Sequence, residues 1–204
     1  MEVKISSGNS KLGSIPSVSL PAGLTCRNDC KCKKRCYANR IERLRKTVRE
    51  AYRHNYKLLK EKPDTYWREV EASIMMSRFF RFHVSGDIPD KDYLCNIIEI
   101  ADRNPHCEIL CFTKKFEIVN DIMHGLVTQD KHLPTNLHLI LSGWRDFNFT
   151  NPYNLPVAHV RYKDGYTTAR DEAKECGGNC TECAITDDGC WTLKPGEQVI
   201  FNEH

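Results

Sequence analysis

A chain of 204 residues, 40% hydrophobic and 28% charged, carries enough apolar material for one globular domain without needing cysteine bridges to fold. Its formal net charge of +3 is too small to demand a nucleic-acid partner. It has no apolar run of roughly 18 residues, so no membrane span is expected. Met1 to Gly8 lack a positive stretch leading into an apolar one, so no secretory signal is expected either. The eleven cysteines should therefore meet a reducing cytoplasm, where structural disulfides are rare.

The first 25 residues are rich in Ser, Gly and Pro and read as an extended lead-in. From Asn39 to Lys62, apolar residues recur at three- and four-residue steps between Arg and Lys, which predicts one basic helix. Pro63 should end it, and Asp64 should cap a second helix running to Met76. Arg78 to Val84 then reads as a strand, with Arg81, His83 and Ser85 on one face and Phe80, Phe82 and Val84 on the other. Helix is predicted over Pro89 to Asp102, strand over Glu108 to Thr113, and helix over Phe116 to Leu126. Further strands are predicted at Leu137 to Ser142, Val157 to Tyr162 and Gln198 to Phe201.

This alternation of apolar strands with helices predicts an α/β fold with a parallel sheet, either open or a partial (βα) barrel. The expected organisation is an extended leader with a cysteine cluster over 1–38, an α/β core over 39–165 and a cysteine-rich segment over 166–204, all in one compact domain. In such sheets ligands sit beyond the carboxyl ends of the strands. Ser85-Gly86-Asp87, Thr113-Lys114-Lys115, Ser142-Gly143-Trp144-Arg145 and Arg161-Tyr162-Lys163 lie there. Asp87 and His83 are the expected catalytic residues, and Ser85, Gly86, Asp87 and Lys114 the expected cofactor contacts. Trp144 and Arg145 offer stacking surface for a base. Cys95, Cys107 and Cys111 read as small buried hydrophobes.

The other eight cysteines fall into two tight groups. Cys26, Cys30, Cys32 and Cys36 occupy eleven positions near the front, among Lys and Arg that favour thiolate. Cys176, Cys180, Cys183 and Cys190 follow one another with three, two and six residues between, beside Gly177, Gly178 and Gly189. Thiolates so spaced hold zinc or an iron–sulfur cluster, and spacing alone leaves both open. No phosphate-binding glycine loop, nucleophile elbow or paired-histidine zinc motif is present.

Gly8-Asn9-Ser10-Lys11-Leu12-Gly13, Ser19 to Cys26, Cys32 to Ala38, Arg81 to Asp87 and the ending Cys180 to Trp191 resemble the phage gene-product-eighty-eight family. That resemblance implies viral or prophage origin, hence a host cytoplasm, and no particular reaction. A more distant resemblance is to the radical S-adenosylmethionine enzymes. Cys26, Cys32 and Cys36 before a helix are similar to their three-cysteine loop, and Ser85-Gly86-Asp87 to the turn that binds the methionine amino group. The spacing here is five and three residues rather than three and two, Cys30 is extra, and Asp stands for Glu.

The resemblance implies two [4Fe-4S] clusters, the front one with an open iron for S-adenosylmethionine and the tail one closed, together with an electron donor. The substrate expectation is nucleic acid or a nucleotide. The competing expectation is a zinc- or cluster-stapled module that binds nucleic acid or protein without catalysis.

Overall fold

A computed structural model of the chain describes residues 2–29, 32 and 35–203. Among these residues seven strands form one sheet, β1 (Ser17–Val18), β2 (Phe79–Phe82), β3 (Glu108–Thr113), β4 (Leu137–Ser142), β5 (Val157–Arg161), β6 (Lys174–Glu175) and β7 (Gln198–Asn202). Their order is β1-β2-β3-β4-β5-β7-β6, and every pairing is parallel. Through β5 each strand thus lies beside its predecessor in sequence.

The sheet is buried on both sides, by different material. Phe80, Phe82, Ile109, Cys111, Leu139 and Leu141 face the crossover helices α3 (Pro63–Met75), α4 (Lys91–Arg103) and α5 (Phe116–Thr128). Leu110, Ile140, Ala158 and Val199, the residues between, face the opposite way. They meet Leu12 and Ile15 of the lead-in, and Ala184 and Trp191 of the cysteine-rich tail. A strict period of two in strands covered on both faces produces this division.

Arg45, with extended backbone, interrupts the basic helix into α1 (Tyr37–Leu44) and α2 (Lys46–Glu61). The two pieces are anchored separately. Buried Glu42 on α1 accepts from the Ala22 amide at 2.8 Å and the Ser85 hydroxyl at 2.6 Å. Buried Asn55 on α2 bonds the Lys4 amide and carbonyl and the Ser19 carbonyl. Pro63 opens α3 rather than closing its predecessor, because a proline at the first helical position gives up an amide that has no partner there anyway. Asp64 caps nothing and lies in the first turn. Asp90 does cap α4, accepting from the Tyr93 amide at 3.0 Å. Among the elements not expected are the short edge strands β1, inside the lead-in, and β6, inside the tail, and the helix α6 (Cys180–Ile185), also in the tail. None of the described helices is long and apolar enough to cross a membrane.

Candidate functional site

The loop after β1 and the turn after β2 converge on one cavity of about 200 Å³ at the carboxyl edge of the sheet. Cys26, Cys32 and Cys36 line it together with Ser85, Gly86 and Asp87. Cys30 lies outside the described residues.

Cys36 is the N-cap of α1. Its thiol pKa is brought down to about 6, chiefly by a hydrogen bond from Cys32, aided by the Asn39 and Ala38 amides and the charge of Lys114, against the opposing effect of burial. A helix start that presents free amides to sulfur is a ready site for a thiolate. The Gly23 amide donates to the Cys26 sulfur at 3.4 Å. Arg27 pins the same loop from outside, pairing with Asp29 and Glu117 and lying over the Phe147 ring at 4.9 Å.

The turn after β2 is tightly specified. Gly86 has φ +80°, and a β-carbon there would meet the Leu20 carbonyl oxygen at 2.6 Å, so only glycine fits. The Asp87 carboxylate accepts from the Thr113 hydroxyl at 2.6 Å, the Lys114 amide at 2.9 Å and its neighbour Ile88's amide at 2.8 Å. Burial pushes its pKa up while these donors pull it down, and burial prevails. Asp87 thus fastens the end of β2 to the end of β3, and most of its acceptor capacity is already used. Ser85 is likewise occupied by Glu42. The Lys114 ammonium lies over the Trp144 ring at 5.8 Å, and both residues line the cavity. Arg145 turns aside, paired with Asp164 and stacked over Tyr162 and Tyr166.

His83 departs from the simple alternation. Its φ of 61° swings the side chain onto the helix side, where Nε2 lies 3.2 Å from the Tyr93 hydroxyl and Nδ1 3.9 Å from the Cys111 sulfur. Arg81, expected on the same face, points to the tail side instead, over Phe112. Burial lowers the His83 pKa to about 3, with the Arg81 charge contributing, so the ring is neutral at pH 7.

A stability prediction follows from that neutrality. Below its ordinary value of 6.5 the unfolded chain takes up a proton that the folded state refuses, so stability declines as the pH falls from about 6.5 toward 3. Between pH 7 and pH 5 this one residue should cost about 2 kcal/mol. His83→Asn, which tolerates the same backbone, should lose that part of the pH dependence in urea unfolding. Equal pH dependence in the two proteins would refute the assignment.

The four tail cysteines gather on the sheet's inner face, the one lined by Leu110, Ile140 and Val199. Cys176, Cys180, Cys183 and Cys190 line one narrow cleft with Arg81, Phe112 and Phe201. The lead-in clamps this segment in place: the Cys180 amide donates to the Lys11 carbonyl at 2.8 Å, and the Thr181 hydroxyl to the Leu12 carbonyl at 2.6 Å. Asn179 caps α6 through the Thr181 and Glu182 amides. Trp191 stacks edge-on against Phe79 and His138 and donates its indole N–H to the Cys180 carbonyl at 3.1 Å. Gly189 has φ +63°, and a β-carbon there would press on the Cys183 sulfur at 3.1 Å.

Among the described residues no three His, Cys, Asp or Glu side chains are preassembled around a single metal ion. The cleft measures about 20 Å³ as it stands. A larger group would need the loop to open at Gly177 and Gly178, around which there is free space. Cys95 is partly buried, and Cys107 and Cys111 are fully so.

Arg81 stands between the two groups. It is 8% exposed and lines both the cavity and the cleft. One terminal nitrogen donates to the Cys180 sulfur at 3.6 Å, and Nε has no partner. Among the described residues no carboxylate pairs with it. Neither Arg81 nor Glu42 was among the residues singled out for function. Arg81 does carry a signal, a lone charge in the otherwise aromatic strand Phe79-Phe80-Arg81-Phe82.

Fold and site together define a cysteine-rich parallel α/β protein, with thiols gathered at the carboxyl edge of its sheet and again against its inner face. The chain belongs to the Gene product 88 family, whose profile matches residues 3–187. It is 27% identical over 121 residues to the Gene 88 protein of Mycobacterium phage L5, an alignment covering 52% of this chain and 51% of that one. The chain thus spans about half the length of that curated relative. No solved structure matches it.

Proposed function

We propose that this is an iron–sulfur protein acting as a radical S-adenosylmethionine-like enzyme. One observation carries the reading. The cysteine loop leaves β1, the Ser85-Gly86-Asp87 turn leaves β2, and both open on the same cavity. Cys26, Cys32 and Cys36 would hold a [4Fe-4S] cluster there, and Cys176, Cys180, Cys183 and Cys190 a second. The residues suit such groups. Cys36 is biased to thiolate, and buried Arg81, lacking a carboxylate, calls for an anionic neighbour on either side. A four-iron cluster with one open iron supplies, when bound, the electron for reductive cleavage of S-adenosylmethionine.

The chain's own residues do the rest. Gly86 lets the turn pack closely against the Leu20 carbonyl and the Thr25 hydroxyl. Asp87 keeps its turn rigid through Thr113 and Lys114 and does not reach out as a free carboxylate. Lys114 offers positive charge to a carboxylate, and Trp144 offers an aromatic face to adenine. Arg40, Arg43, Arg45 and Lys46 are exposed on and after α1, whose first residues Tyr37 and Ala38 line the cavity, and suit a nucleic acid or nucleotide as substrate.

Anaerobically purified protein should be brown and contain iron, and should form 5′-deoxyadenosine when reduced with S-adenosylmethionine. Iron-loaded protein that forms none would reject the catalytic reading. The same exposed basic residues favour a second reading, a metal-stapled nucleic-acid-binding module without catalysis. Colourless protein holding only zinc would decide for it.

A further inference from the structure

We infer that Arg81 is a counter-cation of the tail cysteine centre, raises its reduction potential, and links it electrostatically to the front cavity. The inference rests on the iron–sulfur reading above. A guanidinium this buried normally meets a carboxylate, because an uncompensated buried charge is costly. Here the positions that a carboxylate would occupy are taken by sulfur and aromatic rings. One nitrogen points at Cys180, the ring of Phe112 lies 4.9 Å from the guanidinium carbon, and Nε is left over.

The placement is specific. Arg81, Phe112 and Phe201 are the residues shared by the walls of both openings, so they form the partition between them. Strand pairing fixes the partition rigidly: Arg81 lies beside Ser17 on one side and Leu110 on the other. The charge cannot swing out to solvent as a surface arginine does.

Thiolates bound to a metal centre leave net negative charge, which grows by one unit on reduction. A fixed cation at this distance stabilises the reduced form more than the oxidised one. Because the same guanidinium borders the front cavity, negative charge arriving there competes for it. Reduction of the tail centre should therefore become harder when an anionic ligand fills the cavity.

The test compares anaerobic wild-type protein with Arg81→Met and Arg81→Lys, by redox titration monitored by electron paramagnetic resonance, with iron counted per chain. Arg81→Met should lower the tail centre's potential, reducing its reduced-to-oxidised ratio at a fixed poise at least tenfold, which is 59 mV for one electron. Arg81→Lys, keeping the charge, should recover most of that ratio. A structural role alone would not distinguish Met from Lys in this way.

If Arg81→Met fails to load iron, the neutral Arg81→Gln carries the test in its place, with the same tenfold loss expected and a ratio within about threefold of wild type overturning the inference. Iron-loaded variants with unchanged potentials would overturn the Arg81 role and leave the iron–sulfur reading standing. Wild-type protein without iron, or with zinc in the tail, would overturn both.

Discussion

Cys32→Ala protein prepared without oxygen should carry about half the iron of the wild type, because one of two four-iron groups loses a ligand. Cys32 also donates the hydrogen bond that does most to hold the Cys36 thiol toward its anionic form, so the substitution weakens two ligands at once. The tail cysteines lie across the partition formed by Arg81, Phe112 and Phe201 and share no backbone segment with the front loop. Their iron should remain, and 5′-deoxyadenosine formation should fall below detection. Cys180→Ala should give the reciprocal result in iron content, emptying the tail and sparing the front. Iron per chain and the resonance spectra of the reduced proteins check both. Should each variant keep the full iron complement, the division of ligands drawn here is wrong.

The second large effect concerns stability. Trp191→Ala removes an indole that is 5% exposed, packed against Phe79 and His138 and bonded to the Cys180 carbonyl. Truncating a buried tryptophan to alanine costs about 3–5 kcal/mol through lost transfer energy and the cavity left behind. In a chain of this size that corresponds to a melting temperature lower by roughly 10 °C. The loss should fall unevenly, because Trp191 fixes the tail to the inner face while α3, α4 and α5 hold the other. Protease should therefore nick the 176–190 segment of the variant first, while the sheet and helices persist. A melting temperature within 2 °C or so of the wild type would show that the tail is not seated through this residue.

Much of the architecture was legible because burial on both faces leaves a strong imprint on strands. Glu108–Thr113 and Leu137–Ser142 were read with the ends the structure gives them, as runs of apolar residues bounded by polar ones. The parallel sheet followed from the helices between them. The edge strand Ser17–Val18 left no such imprint. Two residues between prolines, paired with β2 on one side and bridged through Ser17 to Ser6, have no period to detect. The break at Arg45 was hidden because the apolar pattern runs through it, and only the separate anchoring of Glu42 and Asn55 distinguishes the two helices.

For the site, spacing was enough to find both cysteine groups and the turn at Asp87. What those neighbours do to one another was not readable. Asp87 looked like an open carboxylate, and its partner Thr113 lies on a different strand. His83 looked like a neighbour of Arg81 because alternation assumes extended backbone, which a left-handed residue breaks. That Arg81 touches Cys180, ninety-nine positions away, depends on the tail folding back across the inner face.

The clamp between Leu12 and Thr181 joins positions 169 residues apart. A ribosome adds roughly 5–20 residues per second, so the earlier half of this contact waits on the order of 10–30 s for its counterpart to be synthesised. The front thiols emerge early in that interval and the tail thiols at its close. Metal delivery to the two places is thereby staggered in time. The sheet's inner surface stays uncovered until the 176–191 segment has been made, a window in which a nascent chain depends on its surroundings to keep it from sticking to others.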